Sequence, residues 1–422
     1  MLRRLQILVV AAALIVAAFS TGAPFLFFLL YLGILVAGGS YVVTRFGLAD
    51  LEAGYVLDRL HAEVGDTLRA TYTVRNTSRL PKFWLEVHNP SNLPHGLPGR
   101  ALSLGPRGER SWSARVGLTR RGHYRVEQLV IRTGDPFGFF ESYASVGKSS
   151  AVIVYPRVEA LPGWRLPPAQ IEGPHAHPVR TVQTTPHVTT IRPYAPGDAY
   201  NRIHWRSTAR QAELQVKEFD LEQTADVWIF LDLEAAVHVG TGDDSTLEFA
   251  VRAAASIAAR AILENRSVGL TAVGARSIIL PLDRGPRQQQ KIMQLLAAVQ
   301  ADGSRPLGDV LIEGAPRLRR GMTAVVVTPS TDRAWVRPLA TLRIRGVTGV
   351  VVLPDALAFA EHAYKFGDGD ISDELLEAFR VESRALHHAL AEHDLLPSRL
   401  VPGKPIAAQL VSRSARLQAV AP

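Results

Sequence analysis

Residues 192–219 combine a tight turn with arginine, histidine and aromatic side chains, a mixture able to bind anions. The turn signal is Pro196-Gly197-Asp198, and Trp205 follows it between two arginines. A guanidinium group can donate two parallel hydrogen bonds to a carboxylate and can lie over an aromatic ring. The segment therefore favours a clamp for an anionic partner, but it fits equally well a joint between domains in which Asp198 pairs with an arginine and Trp205 fills a core.

We expect this segment to form the functional surface, with Asp198 orienting arginines and Trp205 anchoring the segment against the domain that follows. The candidate binding residues are Arg192, Tyr194, Gly197, Asp198, Arg202, Trp205, Arg210, Lys217 and Glu218. Stacking and phosphate contacts by Tyr194, Trp205, Arg202, Arg206 and Arg210 would also suit a nucleic acid. No nucleic-acid recognition motif accompanies these residues, so no nucleic-acid partner is predicted.

The sequence contains no recognisable catalytic motif. The chain has no cysteine, which excludes thiolate nucleophiles and disulfides, and it has no Gly-x-Ser-x-Gly elbow and no HExxH motif. Gly147-Lys148-Ser149 resembles the end of a phosphate-binding loop, but Ser142 occupies the position of the required first glycine. We therefore predict a protein that is not an enzyme and has no catalytic residues. A hydrolase using Asp198, His204 and Asp232 remains an alternative that geometry has to decide.

Length and composition indicate several folded domains. The chain has 422 residues, of which 47% are hydrophobic and 20% charged, an ordinary globular balance. The formal net charge of +8 favours anionic partners in general without selecting one.

The N-terminus carries two uncharged apolar stretches, Leu5 to Phe19 and Phe25 to Val43, separated by a Gly-Ala-Pro break. Arginines flank the pair at both outer ends, which by the positive-inside rule places both ends on the cytoplasmic side. Residues 1–46 are therefore predicted to form a two-helix transmembrane hairpin in the lipid bilayer, giving a multi-pass protein of the cell membrane with cytoplasmic soluble domains. A signal peptide cleaved near Ser20 to Ala23 is the competing interpretation.

Two folded domains are predicted after the hairpin. Residues 50–161 alternate short period-two runs with turn signals, which is typical of an antiparallel, immunoglobulin-like β-sandwich. Residues 223–400 begin with the apolar run Val227 to Leu233 and continue with a capping box at Ser245 and further strand and helix patterns, as in a doubly wound α/β domain. The multi-domain chain is completed by a Pro/Gly-rich connector at 162–190, by the segment at 191–222 that holds the candidate binding residues, and by a tail at 401–422. We call residues 191–222 the signature segment.

The tract RPYAPGDAYNRIHWRSTARQAELQVKEF closely resembles the signature of the family called domain of unknown function 58. The resemblance extends to the N-terminal hairpin, to the β-rich stretch RRGHYRVEQLVIRTGDPFGFFE and to a von Willebrand factor A-like C-terminal domain. It implies a membrane-anchored adaptor for a MoxR-type AAA+ ATPase in a chaperone-like or complex-maturation system. An envelope binding protein with an exported β-sandwich is the main alternative, for which the eight arginines between Arg100 and Arg132 would be periplasmic.

The resemblance also bears on metal binding. The von Willebrand A site uses Asp-x-Ser-x-Ser, because a carboxylate and two hydroxyls suit Mg²⁺. Here Asp232 is in place, but Glu234 and Ala236 occupy the two serine positions. We therefore predict no metal and no cofactor, while a rearranged site of Asp232, Glu234 and Asp332 stays open.

Overall fold

The computed structural model describes residues 2–164, 190–195, 198, 200, 203–211, 213–218, 225–366 and 372–410. The chain divides into two units, one within residues 1–157 and 294–298 and the other within residues 158–293 and 299–422. The first holds the N-terminal helices and the first ten strands, and the second holds the signature segment and an α/β sheet.

Two consecutive helices, α1 (Leu2–Thr21) and α2 (Pro24–Gly47), occupy the predicted apolar stretches. Gly22 separates them with a φ of 67°, a conformation that glycine adopts without steric cost, and Pro24 begins α2 at the position where a missing N–H costs nothing. Within the described residues, α2 is long and apolar enough to cross a bilayer, whereas the apolar part of α1, Val9–Thr21, is shorter. The described residues therefore include one N-terminal helix that is compatible with membrane anchoring.

The predicted β-rich domain is confirmed as ten strands in three sheets. The strands are β1 (Leu51–Leu57), β2 (His61–Glu63), β3 (Thr67–Asn76), β4 (Lys82–His88), β5 (Arg100–Leu104), β6 (Glu109–Gly117), β7 (Gly122–Val126), β8 (Leu129–Gly134), β9 (Glu141–Val146) and β10 (Ser150–Tyr155). Their orders are β1-β3-β6, β2-β10-β7 and β5-β4-β8-β9. Strand β3 alternates strictly between exposed and buried residues, as a strand with one face on a core must.

One pairing departs from the predicted antiparallel pattern, because β10 runs parallel to β2. The two strands are far apart in the chain, so no hairpin turn forces them to run in opposite directions. Alternate residues of both, Ala62 and Val154 among them, join the same buried cluster.

The α/β unit is built on six strands: β13 (Val227–Asp232), β14 (Val268–Val273), β15 (Ser277–Asp283), β16 (Thr323–Val327), β17 (Thr348–Pro354) and β18 (Pro397–Leu400). Their order is β15-β14-β13-β16-β17-β18, and β15 is antiparallel to its neighbour while the others are parallel. The helices are α4 (Thr246–Leu263), α5 (Pro286–Ala298), α6 (Leu307–Gly314), α7 (Val336–Ile344), α8 (Ala356–Phe366) and α9 (Asp373–Glu392). Every residue of β13, β14 and β16 is buried, which explains the continuous apolar runs.

The Ser245 half of the capping box predicted at the start of α4 is confirmed. The Ser245 Oγ atom accepts a hydrogen bond from the backbone N–H of Glu248 at 3.2 Å. We expect Ser245→Ala to lower the free energy of unfolding by about 1 kcal/mol, because it leaves one helix N–H unsatisfied. Urea unfolding measures the loss, and Ser304→Ala at an exposed loop serine is the control, with an expected change within about 0.5 kcal/mol. Equal effects of the two substitutions would contradict the capping role.

Candidate functional site

The signature segment folds as a two-stranded hairpin that encloses a short helix. Strands β11 (Thr190–Pro193) and β12 (Gln215–Glu218) pair antiparallel, and α3 (Trp205–Gln211) lies between them in the chain. A further bridge joins Ile203 to Val216, and both side chains are buried. The Nδ1 atom of His204 accepts from the N–H of Ser207 at 3.3 Å at the start of α3. The segment is thus held by its own backbone and by a small apolar contact.

Asp198 closes the turn of this segment. Its two carboxylate oxygens accept hydrogen bonds from the Arg192 guanidinium at 2.8 and 2.9 Å, and one of them also accepts the N–H of Ala195 at 2.9 Å. The predicted pairing of Asp198 with an arginine is confirmed for Arg192. Such a two-pronged pair fixes geometry as well as charge, so Asp198 orders the segment.

The predicted anchoring role of Trp205 is wrong. Its side chain is 68% exposed, while Ile203 and Val216 supply the buried contact. Tyr200 is 72% exposed, and its ring stacks on that of Tyr194 at 5.9 Å between centroids. The exposed guanidinium groups of Arg206 and Arg210 follow on α3. The described part of the segment therefore presents aromatic and cationic side chains to solvent.

Of the remaining candidates, Gly197 and Arg202 lie outside the described residues. For Lys217 and Glu218 the structure describes the backbone in β12. Among the described contacts, Asp198 pairs with Arg192, His204 with Ser207 at 2.7 Å and Asp232 with Thr328. These contacts do not join Asp198, His204 and Asp232 into a triad.

A second candidate site lies at the carboxyl edge of the α/β sheet, at the end of the central strand β13. The strand that follows β13 in the chain, β14, pairs on one side of it, and β16 pairs on the other side, so the strand order reverses at this point. Ligands of open α/β sheets collect at such an edge. Asp232 at the end of β13 accepts the Thr328 hydroxyl at 2.6 Å and the N–H of Glu234 at 3.1 Å. In the sequence, Asp232 and the 328–332 loop each follow an apolar strand pattern, which predicts that both lie at the carboxyl edge of a parallel sheet. The hydrogen bond between Thr328 and Asp232 confirms this prediction.

Burial governs the protonation of Asp232. Removal from water raises the pKa of this carboxyl to about 6, against the opposing effect of the two hydrogen bonds from Thr328 and Glu234. The nearby charge of Glu234 adds to the increase. Asp232 is therefore a carboxyl that changes its charge close to neutral pH.

The loop after Asp232 is held from two sides. The Asp232 carbonyl oxygen and Thr246 Oγ1 each lie 3.1 Å from a ring nitrogen of His238. On the other side, Gly303 donates its N–H to the Leu233 carbonyl oxygen at 2.9 Å and accepts the N–H of Ala235 at 2.8 Å. These contacts set the backbone that carries Glu234.

A cleft of about 540 Å³ opens beside this loop. It is lined by Ala236, Val237, Pro329, Ser330, Thr331, Asp332, Arg333, Phe379, Val381, Glu382 and Ala385. The Thr331 hydroxyl donates to the Glu382 carboxylate of α9 at 2.5 Å, which ties the wall formed by α9 to the 328–333 loop. The cleft has the size of a ligand pocket and combines apolar walls with hydroxyl and charged groups.

The contribution of α9 to this cleft could not be found from the sequence. The sequence pattern predicts a helix around His387, but it does not indicate that Phe379 and Glu382 of this helix line the cleft.

The carboxylates at this edge do not gather into a metal site. In the part of the chain that the structure describes, no three His, Asp or Glu side chains are placed to hold one ion. Both oxygens of Asp232 already accept hydrogen bonds, and the side chain at position 236 is a methyl group. These residues therefore differ from the carboxylate and hydroxyl set that suits Mg²⁺ in the von Willebrand A site.

The family resemblance is confirmed by comparison with known proteins. Residues 190–356 match the model of the family described as Protein of unknown function DUF58. The uncharacterized protein YeaD of Bacillus subtilis is 24% identical over 319 residues, which cover 73% of this chain and 76% of YeaD. The uncharacterized protein Rv1480 of Mycobacterium tuberculosis is 28% identical over 159 residues, covering 36% of this chain and 50% of that relative. These matches support the resemblance to this family over residues 190–356, and none of them names an activity.

Among solved structures, the CARDB domain of the PF1109 protein from Pyrococcus furiosus aligns with 25% of this chain and 87% of that domain. The sequence identity is 17% and the TM-score is 0.20. The ASH/PapD-like domain of human CEP192 aligns with 26% of the chain at 11% identity and a TM-score of 0.18.

Proposed function

We propose, with the DUF58 match over residues 190–356 as the premise, that this chain is a membrane-anchored, non-enzymatic adaptor that presents its α/β domain to a MoxR-type AAA+ ATPase. The observation that carries the proposal is the exposed aromatic and arginine surface of the signature segment. Tryptophan, tyrosine and arginine are the side chains that most often dominate the binding energy of protein interfaces. The identity of the partner comes from the family resemblance.

The contacts within the described part of the segment support a docking role. The Arg192–Asp198 pair and the buried contact between Ile203 and Val216 hold the backbone from which Tyr200 and Trp205 project. A preordered surface loses less conformational entropy when it binds. The ordered hairpin therefore favours a partner surface over a solvated linker.

The α/β sheet supports a von Willebrand A-like module. Its strand order is doubly wound and its antiparallel strand lies at one edge. In the proposed adaptor, the cleft beside Asp232 takes a partner side chain at the place where metal-dependent relatives of this fold bind through an ion. Replacement of the two serine positions by Glu234 and Ala236 is in keeping with metal-free contact.

The membrane part of the proposal rests on the two N-terminal helices. We place α1 and α2 in the bilayer as a hairpin, in which the arginines at its two outer ends face the cytoplasm together with both folded units. This arrangement puts the signature segment where a cytoplasmic ATPase can reach it.

The test is direct binding between the full chain in lipid nanodiscs and the purified MoxR-type ATPase of the same organism, with ATP present. We expect Trp205→Ala and Tyr200→Ala each to weaken binding about tenfold, because removal of an interface aromatic commonly costs more than 1 kcal/mol. Tyr364→Ala is the matched control for Tyr200, since Tyr364 is an exposed tyrosine of the same unit on α8. This control should leave the dissociation constant unchanged.

Two outcomes would contradict the proposal. Unchanged affinity in folded Trp205→Ala and Tyr200→Ala variants would remove the segment from the interface. Absence of any binding by the intact chain, together with labelling of the β-rich unit from the periplasmic side, would favour the envelope binding protein.

A further inference from the structure

The last turn of α2 is joined firmly to the β-rich unit. The Lys82 ammonium donates a hydrogen bond to the Phe46 carbonyl oxygen at 2.6 Å. Gly47 lies so close to Thr133 that a Cβ atom would come within 2.7 Å of its methyl group. The helix end and the strands are therefore in direct contact.

An apolar groove of about 250 Å³ lies at this joint. It is lined by Val42, Val43, Phe46, Gly47, Leu80, Pro81, Lys82, Phe83, Trp84, Thr133 and Gly134. The side chains of Val42, Phe46, Leu80 and Phe83 are all exposed, so the apolar flank of α2 continues without a break onto the β-rich unit. Contiguous exposed apolar surface of this kind marks an interaction site.

An irregularity in β4 creates the outer wall of the groove. The pairing of β4 with β5 shifts register between Lys82 and Leu85, and both of these residues are buried. Two consecutive aromatic residues, Phe83 and Trp84, consequently point outward, whereas a regular strand would bury one of them.

The length of α2 indicates how deep in the membrane the groove lies. Its 24 residues, at about 1.5 Å per residue, give a helix about 6 Å longer than a ~30 Å hydrocarbon layer. The helix therefore spans the hydrocarbon layer with about one turn to spare, so its last turn lies at the boundary between the acyl chains and the headgroups. The turn that includes Arg45 is the natural one, because aromatic and basic side chains concentrate at this level of a membrane.

We propose that this groove is a lipid site, in which an acyl chain of a membrane phospholipid packs against Val42, Phe46 and Phe83 at the leaflet where α2 ends. The inference rests on the membrane anchoring of the proposed function. Continuity with the lipid-facing flank of α2 favours a lipid over a protein partner, since the same bilayer that surrounds the helix meets the groove.

The absence of cysteine from the chain makes single-site labelling straightforward. Spin labels are attached to Leu80→Cys and Phe83→Cys in the full chain, which is then reconstituted in phosphatidylcholine/phosphatidylglycerol nanodiscs. The measurement compares collisions of each label with oxygen, which enters the bilayer, and with a water-soluble nickel chelate. The matched controls are Leu60→Cys and Val56→Cys. Leu60 is 49% exposed against 56% for Leu80, and Val56 is 71% exposed against 70% for Phe83.

We expect oxygen to dominate at positions 80 and 83 and the nickel chelate to dominate at positions 56 and 60. Position 56 lies near the end of β1 that is farther along the chain from α2, and position 60 follows that strand. Leu35→Cys in the middle of α2 reports on anchoring by itself. If the label at position 35 collided mainly with oxygen while the labels at positions 80 and 83 collided mainly with the nickel chelate, the lipid site would be overturned and the membrane anchor would stand. Nickel dominance at all three positions would overturn the anchor itself. Protection of 80 and 83 from both reagents would indicate a protein occupant and would also overturn the lipid site.

Discussion

Replacing Asp232 by asparagine is expected to raise the free energy of unfolding at pH 8 by about 2 kcal/mol. The folded chain raises the pKa of this carboxyl from 3.8 to about 6, because burial disfavours its charged form. At pH 8 the folded protein therefore holds a buried carboxylate that would be better solvated in the unfolded chain. Asparagine removes the charge and keeps a similar shape, with an oxygen that can accept the N–H of Glu234.

The same substitution should flatten the dependence of stability on pH. Between about pH 4 and pH 6, folded Asp232 retains a proton that the unfolded chain has released, so its contribution to stability is fully present below pH 4 and is lost as pH rises through 6. The loss is on the order of 3 kcal/mol for a shift of this size. We expect the wild-type chain to lose this stability between pH 4 and 7 and Asp232→Asn to lack that step.

Urea unfolding of the full chain at a series of pH values measures both effects. Asp243→Asn makes the same chemical change at an exposed carboxylate of the same unit and should alter stability by less than about 0.5 kcal/mol. If Asp232→Asn were less stable than wild type at every pH, the carboxylate would be a stabilising charge and its inferred protonation would be wrong.

A buried carboxyl kept at a cost in stability points to a use in binding. Groups with strongly shifted pKa values cluster at functional sites, and Asp232 lies under the loop that lines the cleft. Binding of the proposed ATPase partner by Asp232→Asn separates a role in the cleft from a role in folding, because the substituted chain is expected to be the more stable one.

Local sequence patterns predicted the elements of the α/β unit well. The apolar run after Val227 is β13, the capping box at Ser245 begins α4, and Asp232 meets Thr328 at the sheet edge. Each of these features depends on a few neighbouring residues or on the general rule that parallel strands share one carboxyl edge.

Features set by distant parts of the chain could not be predicted. Burial of Trp205 was an inference from residue type, and the structure places Ile203 and Val216 in the contact instead. The cleft wall on α9 depends on where a helix of ordinary amphipathic pattern packs. The exposed pair Phe83-Trp84 depends on a register shift that the strand pattern does not encode.

Gly303→Ala is expected to lower the free energy of unfolding by about 3 kcal/mol, because the added methyl group would overpack a closed backbone contact. A Cβ atom at this position would come within 2.7 Å of the Val273 carbonyl oxygen and 2.9 Å of the Leu233 carbonyl oxygen. Neither oxygen can rotate away as a side chain could. The strands and the loop would have to separate, which would break the hydrogen bonds that Gly303 makes with Leu233 and Ala235.

Gly308→Ala in α6 is the matched control for this substitution. A Cβ atom there would meet the Ala334 carbonyl oxygen at an ordinary 3.6 Å, so alanine should be tolerated or stabilise the helix by up to about 1 kcal/mol. Urea unfolding compares the two variants, and amide hydrogen exchange at Ala235 reports on the loop that carries Glu234. Faster exchange at Ala235 in Gly303→Ala, with unchanged exchange in Gly308→Ala, would show that Gly303 holds the cleft loop in place. Equal stability of the two variants would contradict this role, since it would mean that the loop relaxes around a methyl group without cost.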